Sequence, residues 1–494
     1  VADTPGNLAD LVRLAADRAP DRVAFVAGGE RLTWRQTDAA VDAAARGLCA
    51  LGLGPGDRVA LHLVNGLDFV VSYFGALRAG IVAVPLATTY APAELERALG
   101  ECGAKVLLTG AADAVDPTAV PSVERIVVAG PELDAALGAH GGPEVVAGAS
   151  GEDLAVIAYT SGTGGAPRGV MLSHRALLAN LDQIARIEPP VVDGDDVLLL
   201  VVPFSHAFGL NAALGLVAKV AATGVLTPGF EPAGTLALIR AEEVSVLVGV
   251  PPMFVAWSRL PDAEEGFTSV RLCLSGSAPL PAGVQARVLE MTGHHVFEGY
   301  GLTEAAPVLT ATLRSEIPKP DSIGRPLPGV ELQLLDAAGQ PVEDGDPGEI
   351  VVRGANLFSG YWPDGASAPD ADGWFRTGDV AYADEEGDLH LVDRRRELIL
   401  VSGFSVFPRE VEQVLLDHPL VHEVAVIGIP HPYTGESVKA YVVPVAGAAL
   451  TVADVQAHAA VSLARFKCPT TVELVEALPH STTGRVSKSQ LRTS

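Results

Sequence analysis

Between Arg22 and Thr109 the chain keeps returning to one pattern, a short apolar run followed by an amphipathic stretch. The runs 23–26, 59–63, 81–85 and 106–109 are the length of strands, and stretches such as 38–51 carry helical spacing. A strand can pair in parallel with the next only through a crossover, so this alternation predicts a largely parallel sheet covered by helices. The pattern resumes after Gly151, at 198–202, 244–248 and 270–274, and predicts a second sheet of the same class. From Gly329 the runs become short alternating pieces, 331–335, 349–352 and 388–392, set off by Gly and Pro, as expected of antiparallel strands or a small barrel. Beyond the charged run 393–397 comes a further α+β unit, with helices expected at 408–417 and 452–465 and strands at 423–429, 438–443 and 471–475.

A chain of 494 residues that is 48% hydrophobic and 19% charged has ample material for several packed units and excludes disorder. Its 34 Lys and Arg against 60 Asp and Glu give a net charge of −26, the wrong sign for nucleic-acid binding. Any anionic ligand must be held by local donors. Cys49, Cys102, Cys273 and Cys468 lie far apart without metal-ligand spacing, so buried free thiols are expected. The first residues lack a basic segment followed by an apolar one, and no run of eighteen apolar residues occurs. A cytoplasmic protein without membrane spans is the expectation.

The most informative segment is AYTSGTGGAPRGV, residues 158–170, where a strand runs into a loop of glycines and hydroxyls. Glycine lets backbone N–H groups converge, and Thr160, Ser161 and Thr163 add donors around Gly162 and Gly164, so the loop suits phosphate. It is not a Walker-type loop, since no GK[ST] closes it. In order there follow PFSHAFG (203–209), LSGSAPLP (274–281), GYGLTE (299–304), GEIVVRG (348–354), WFRTGD (374–379), DRRRELILVSGFSVFP (393–408) and PHSTTGR (479–485). Together these resemble the adenylate-forming superfamily of acyl-CoA ligases, adenylation domains and luciferases, along essentially the whole chain.

The resemblance implies an α/β fold: a large N-terminal domain, 1–392, of two helix-covered β-sheets plus a small β-barrel (subdomains about 1–150, 151–328 and 329–392), a hinge at 393–394, and a mobile, smaller α+β C-terminal domain, 395–494. It implies a two-step reaction, in which a carboxylate and ATP give acyl-AMP and a thiol then takes the acyl group. The C-terminal domain rotates between the steps. Glu304 is implied to hold Mg²⁺ and Thr303 to donate to the α-phosphate. Ser275, Gly276, Ser277 and Ala278 are implied to run along the adenine, with Tyr300, between Gly299 and Gly301, stacking on it. Asp379 and Arg394 match ribose contacts, His206 a position beside the substrate carboxylate, and Ser402, Gly403 and Phe404 the passage for the CoA pantetheine. Phe208, Gly209, Val250 and Met253 are implied to line the acyl pocket. The ligands implied are ATP or AMP, CoA and Mg²⁺, with no redox cofactor, in a monomer or homodimer.

Three positions depart from the family, and all concern the triphosphate or the adenylate. Arg485 stands where the catalytic lysine is expected, Gly164 replaces a Ser or Thr, and Arg168 replaces a Lys. Arg presents a wider, planar cation than Lys, so the exchange at the reacting centre is not conservative. The expectation that follows is an enzyme that thioesterifies acyl-AMP supplied by a separate adenylating partner, its own adenylation weak or absent. A complete two-step ligase is the closest alternative, with an adenylation enzyme for a carrier protein and a non-catalytic adenylate-binding module further off. Lys488, three residues on, is a second cation near that position, with no geometric reason to reach inward. Against the departure stands the chain's general preference for Arg, with six Lys in all.

Overall fold

Runs such as 59–61, 82–85 and 106–109 become strands whose residues are buried on both faces, as parallel strands between helix layers must be. The structure, a computed structural model, describes residues 6–138, 145, 148–160, 168–315, 318–343, 345–394, 399–401, 404–431, 435–463, 465–480 and 486–492. They divide into two compact units, one of residues 6–160, 168–331 and 353–375, the other of 332–352 and 376–492.

The first unit carries β1 (Val23–Ala27), β2 (Glu30–Thr33), β3 (Arg58–His62), β4 (Val82–Pro85), β5 (Val106–Thr109), β6 (Arg125–Val128), β7 (Leu154–Thr160) and β8 (Arg168–Ser173). It continues with β9 (Val197–Leu200), β10 (Thr223–Leu226), β11 (Val246–Gly249), β12 (Leu272–Ser275), β13 (Val296–Gly301), β14 (Val308–Ala311) and β15 (Ser322–Pro326). One sheet has the order β6-β5-β3-β4-β7-β8, and the other contains β2-β1-β10-β9-β11-β12-β13-β14-β15. Two assignments differ from the sequence reading. β1 pairs in parallel with β10 and so belongs to the second sheet, while β7 and β8, beyond Gly151, complete the first. Periodicity reports that a strand is buried and not which partner buries it.

Helix ends follow their caps. Thr33 accepts from the Gln36 N–H and Gln36 reaches back to the Thr33 N–H, closing a capping box on Trp34–Ala50. Ser173 accepts from the Ala176 N–H at the start of His174–Ala185. A core of Val, Leu, Phe and Trp residues fills the space around β9, β11 and β12, and includes Val250, Met253, Phe254 and Trp257.

The second unit holds most of β16 (Val330–Leu335), β17 (Gly348–Gly354) and β18 (Trp374–Ala383) and all of β19 (Leu389–Arg394), as consecutive neighbours. Its other sheet has β20 (Ile399–Val401), β21 (Phe404–Val406), β22 (Val421–His431), β23 (Gly435–Pro444) and β24 (Thr471–Leu474), packed by helices Pro408–Leu416 and Val452–Ser462. The expectation of buried thiols holds for Cys102 and Cys273 only. Cys49 is exposed near the end of its helix, and Cys468 is half-buried. Among the described residues no helix is long and apolar enough to cross a membrane.

Candidate active site

In an open parallel sheet the connections leave the carboxyl ends of the strands and part there, which creates a crevice for ligands. β9, β11, β12 and β13 are such neighbours, in registers that set Gly249 beside Ser275 and Ser275 beside Glu298. The segments that follow them carry PFSHAFG, Val250, Gly276 to Ala278 and GYGLTE, so motifs scattered over a hundred residues arrive at one sheet end.

At β12 the chain leaves the sheet through Gly276, whose N–H donates to the Gly249 carbonyl at 3.2 Å. The Phe208 ring lies so close that a Cβ on Gly276 would come within 3.0 Å of it. Ser277 follows with φ of 73°, a left-handed conformation that L residues rarely adopt. Ser275 is 2% exposed, and its hydroxyl has no hydrogen-bond partner among the described residues. An orphaned buried hydroxyl here fits a site meant to receive a polar ligand.

PFSHAFG leads into a π-helix, Phe208–Gly215, one of the wider helices that recur at functional sites. Gly209 packs where a Cβ would come within 2.5 Å of the Val202 carbonyl oxygen. Asn211, fully buried, donates to the Leu177 and Ala306 carbonyls at 3.0 and 2.8 Å. Burial pushes the His206 imidazole down to about 4, so it is neutral near pH 7 and acts there as a hydrogen-bonding group without charge.

Tyr300 is buried on β13 between Gly299 and Gly301. A bulge follows Tyr300, and at Gly301 any Cβ would meet the Pro307 carbonyl oxygen at 1.9 Å. The chain then makes one 3₁₀ turn, Thr303–Ala305, that carries the Glu304 carboxylate. Three successive carbonyls of the turn are tied. The Phe358 N–H donates to the Glu304 carbonyl at 2.9 Å, Asn356 to the Ala305 carbonyl at 2.8 Å, and Asn211 to that of Ala306. The Tyr361 hydroxyl donates to Glu304 Oε1 at 2.6 Å. A fixed carboxylate with a hydroxyl neighbour is a hard-oxygen set of the kind Mg²⁺ prefers.

The segment expected to bind phosphate lies in sequence between β7 and β8, which pair antiparallel with Thr160 opposite Arg168. Ser161, Gly162, Thr163 and Gly164 lie outside the described residues. Arg168 lays its guanidinium 3.4 Å from the centre of the Tyr361 ring. Tyr361, Asn356 and Asn211 were missed by sequence reasoning. The signal for the first was GYW at 360–362, an aromatic pair after a glycine, and the two asparagines had none.

In the second unit, Gly378 at φ of 77° turns the strand just before Asp379, whose N–H donates to the Thr377 hydroxyl at 3.1 Å. Asp379 is buried and stands opposite Arg394 across β18 and β19. β20 and β21 pair with Val401 opposite Phe404, and Ser402 and Gly403, two of the positions expected to pass CoA, lie outside the described residues. Arg485 does too, between His480 and Val486, which form an antiparallel bridge. Lys488 pairs with Glu412 at 2.7 Å.

A model of the family described as AMP-binding enzyme matches residues 12–362, and one described as AMP-binding enzyme C-terminal domain matches 410–485. A long-chain-fatty-acid–CoA ligase of Bacillus subtilis (strain 168) is 33% identical over 98% of this chain and 94% of its own. A feruloyl-CoA synthase of an Amycolatopsis species is 35% identical over 97% and 96%. The crystal structure of ATP-bound MatB from Rhodopseudomonas palustris, 33% identical, superposes with a TM-score of 0.92 over 99% of this chain and 98% of that one.

Proposed function

The chain belongs to the AMP-binding enzyme family, and on that footing we propose that it is a complete, two-step, ATP-dependent carboxylic acid–CoA ligase. In the first step a substrate carboxylate oxygen attacks the α-phosphorus of ATP, whose bond to the bridging oxygen breaks, giving acyl-AMP and pyrophosphate. In the second the CoA thiolate attacks the acyl carbonyl, and AMP leaves.

The observation that carries this reading is Glu304, whose carboxylate accepts from the Tyr361 hydroxyl on a turn tied through its backbone carbonyls, and whose use lies in the ATP half of the reaction. An enzyme fed ready-made acyl-AMP has no use for that scaffold. The relatives bear the names of whole CoA ligases and synthases, which favours this reading over one limited to thioesterification. Glu304 would hold Mg²⁺, which when bound neutralises charge on the phosphates. Thr303 would donate to the α-phosphate, Ser275 to Ala278 and Tyr300 would frame the adenine, and Asp379 and Arg394 would take the ribose. Neutral His206 would sit at the carboxylate, and the segment from Ser402 to Phe404 would pass the pantetheine.

Arg485 takes the place of the adenylating lysine in this scheme. Lys488 is unsuited to it, being held by Glu412. The acid we assign is apolar beyond its carboxylate, because Phe208, Gly209, Val250 and Met253 bring no charge and the last two belong to the hydrophobic core.

The test is ATP–pyrophosphate exchange without CoA over a panel of fatty, aryl and dicarboxylic acids, run beside acyl-CoA formation from chemically made acyl-AMP. Exchange is expected with a fatty or aryl acid. Arg485→Ala should lower it about 10²–10³-fold and leave thioesterification nearly intact. Silent exchange in wild type with intact thioesterification would return the reading to a second-half enzyme fed by a partner.

A further inference from the structure

We infer that Tyr361 is a positioning residue for the metal-binding carboxylate of Glu304, and that Arg168, at the exit of the phosphate loop, sets Tyr361 in turn. The inference rests on the two-step reading above, since it concerns the ATP half-reaction.

The geometry begins at β8. Residues 359–362 run antiparallel beside the first residues of that strand: the Trp362 N–H donates to the Gly169 carbonyl at 2.8 Å, Met171 to Gly360 at 3.1 Å, and Ser359 to Met171 at 2.9 Å. One residue before, the Phe358 N–H holds the Glu304 backbone. A single short segment is therefore fastened to the strand leaving the phosphate loop and to the turn bearing the carboxylate. Gly360 makes this possible, with φ of 102° and no room for a Cβ, which would meet the Gly365 carbonyl oxygen at 2.2 Å.

Tyr361 links the same two parts through its side chain. Its hydroxyl donates to Glu304 Oε1 at 2.6 Å, the short distance of a charge-assisted bond. With Oε1 engaged, the carboxylate is restrained in rotation and Oε2 is the oxygen left for a cation. Phe358 supports the ring edge-on, at 5.2 Å between centroids. Arg168 covers the ring at 3.4 Å, and a cation over the π face draws density from the ring and strengthens the phenol as a donor. This gives the Arg at 168 a physical account. A guanidinium is planar and stacks, whereas an ammonium is a hydrated point charge.

The test uses the full chain and two variants. Tyr361→Phe keeps the ring and removes the hydroxyl. It should raise the Mg²⁺ concentration for half-maximal ATP–pyrophosphate exchange about tenfold and weaken calorimetric binding of ATP in Mg²⁺ by a similar factor. AMP binding in chelator and thioesterification of supplied acyl-AMP should not move, and the thermal midpoint should fall by a few degrees at most. Arg168→Gln, at an exposed position, should shift the Mg²⁺ dependence the same way by about two- to threefold. Unchanged Mg²⁺ dependence in Tyr361→Phe would overturn the inference, as would an equal loss of AMP binding in chelator, which would mark a merely structural role. Calorimetry with and without Mg²⁺ reads the link even if exchange is silent in wild type, so failure of the two-step reading is seen separately.

Discussion

His174 shows how much one side chain can tie together. It opens the helix after β8, is 1% exposed, and accepts the Leu8 N–H on Nδ1 at 3.0 Å. Burial pushes its imidazole down to about 4, with Asp153 and Asp10 opposing part of the shift. A histidine kept neutral by folding contributes stability that is whole above its unfolded value near 6.5 and is lost as pH falls toward 4. At about 1.4 kcal/mol per pH unit, the loss from this group reaches about 3 kcal/mol at pH 4. Denaturant unfolding between pH 7 and 4.5 should show that decline, and His174→Gln, less stable at pH 7, should show a shallower one. The turns that carry Glu304 and Asp379 were legible in the sequence, because Gly301 and Gly378 mark them. Asn211 and Asn356 were not. Their value lies in carbonyls 95 and 51 positions away, which only the fold brings near.

The elements were legible where burial alone decides them. The runs at 23–26, 59–63 and 106–109 all became strands of nearly the expected extent. Pairing was not, as β1 illustrates by joining a sheet whose next strand, β10, lies about two hundred residues on. The turn that carries Glu304 depends on contacts of the same long-range kind. Asn356 is fully buried, donates to the Ala305 carbonyl at 2.8 Å and accepts from Gln183 at 3.1 Å. Asn356→Ala would leave both partners unsatisfied in the interior, at about 1–3 kcal/mol each before relaxation. The expected outcome is a lowered denaturation midpoint together with a loss of ATP–pyrophosphate exchange that exceeds the loss of thioesterification. Equal losses in both half-reactions would place the effect on folding alone.

Across the whole molecule the balance of charge is the quantity that reaches furthest. At −26 the chain repels ATP and CoA at long range, and only donors close to the crevice attract them. Salt screens the distant repulsion more than the buried contacts. Raising ionic strength from about 10 to 150 mM should therefore increase kcat/KM for ATP and for CoA, the opposite sign to a protein that gathers its anions with a basic surface. Steady-state kinetics over that range, at fixed free Mg²⁺, would reveal it, and a falling kcat/KM would show that local cations outweigh the net charge.

The π-helix from Phe208 to Gly215 has a consequence for length as distinct from composition. An α-helix advances about 100° per residue, and a π turn accommodates one residue more before its hydrogen bond closes. Deleting Leu210 would let it rewind as an α-helix, and what precedes it would swing by about that angle relative to Asn211 and the core beyond. Phe208 would then leave its place against Gly276, and His206 would move with it, although both were still present. The segment should accept many replacements of its side chains and hardly any change in their number, so homologous chains that differ in the acid they take should vary here by substitution and not by gap.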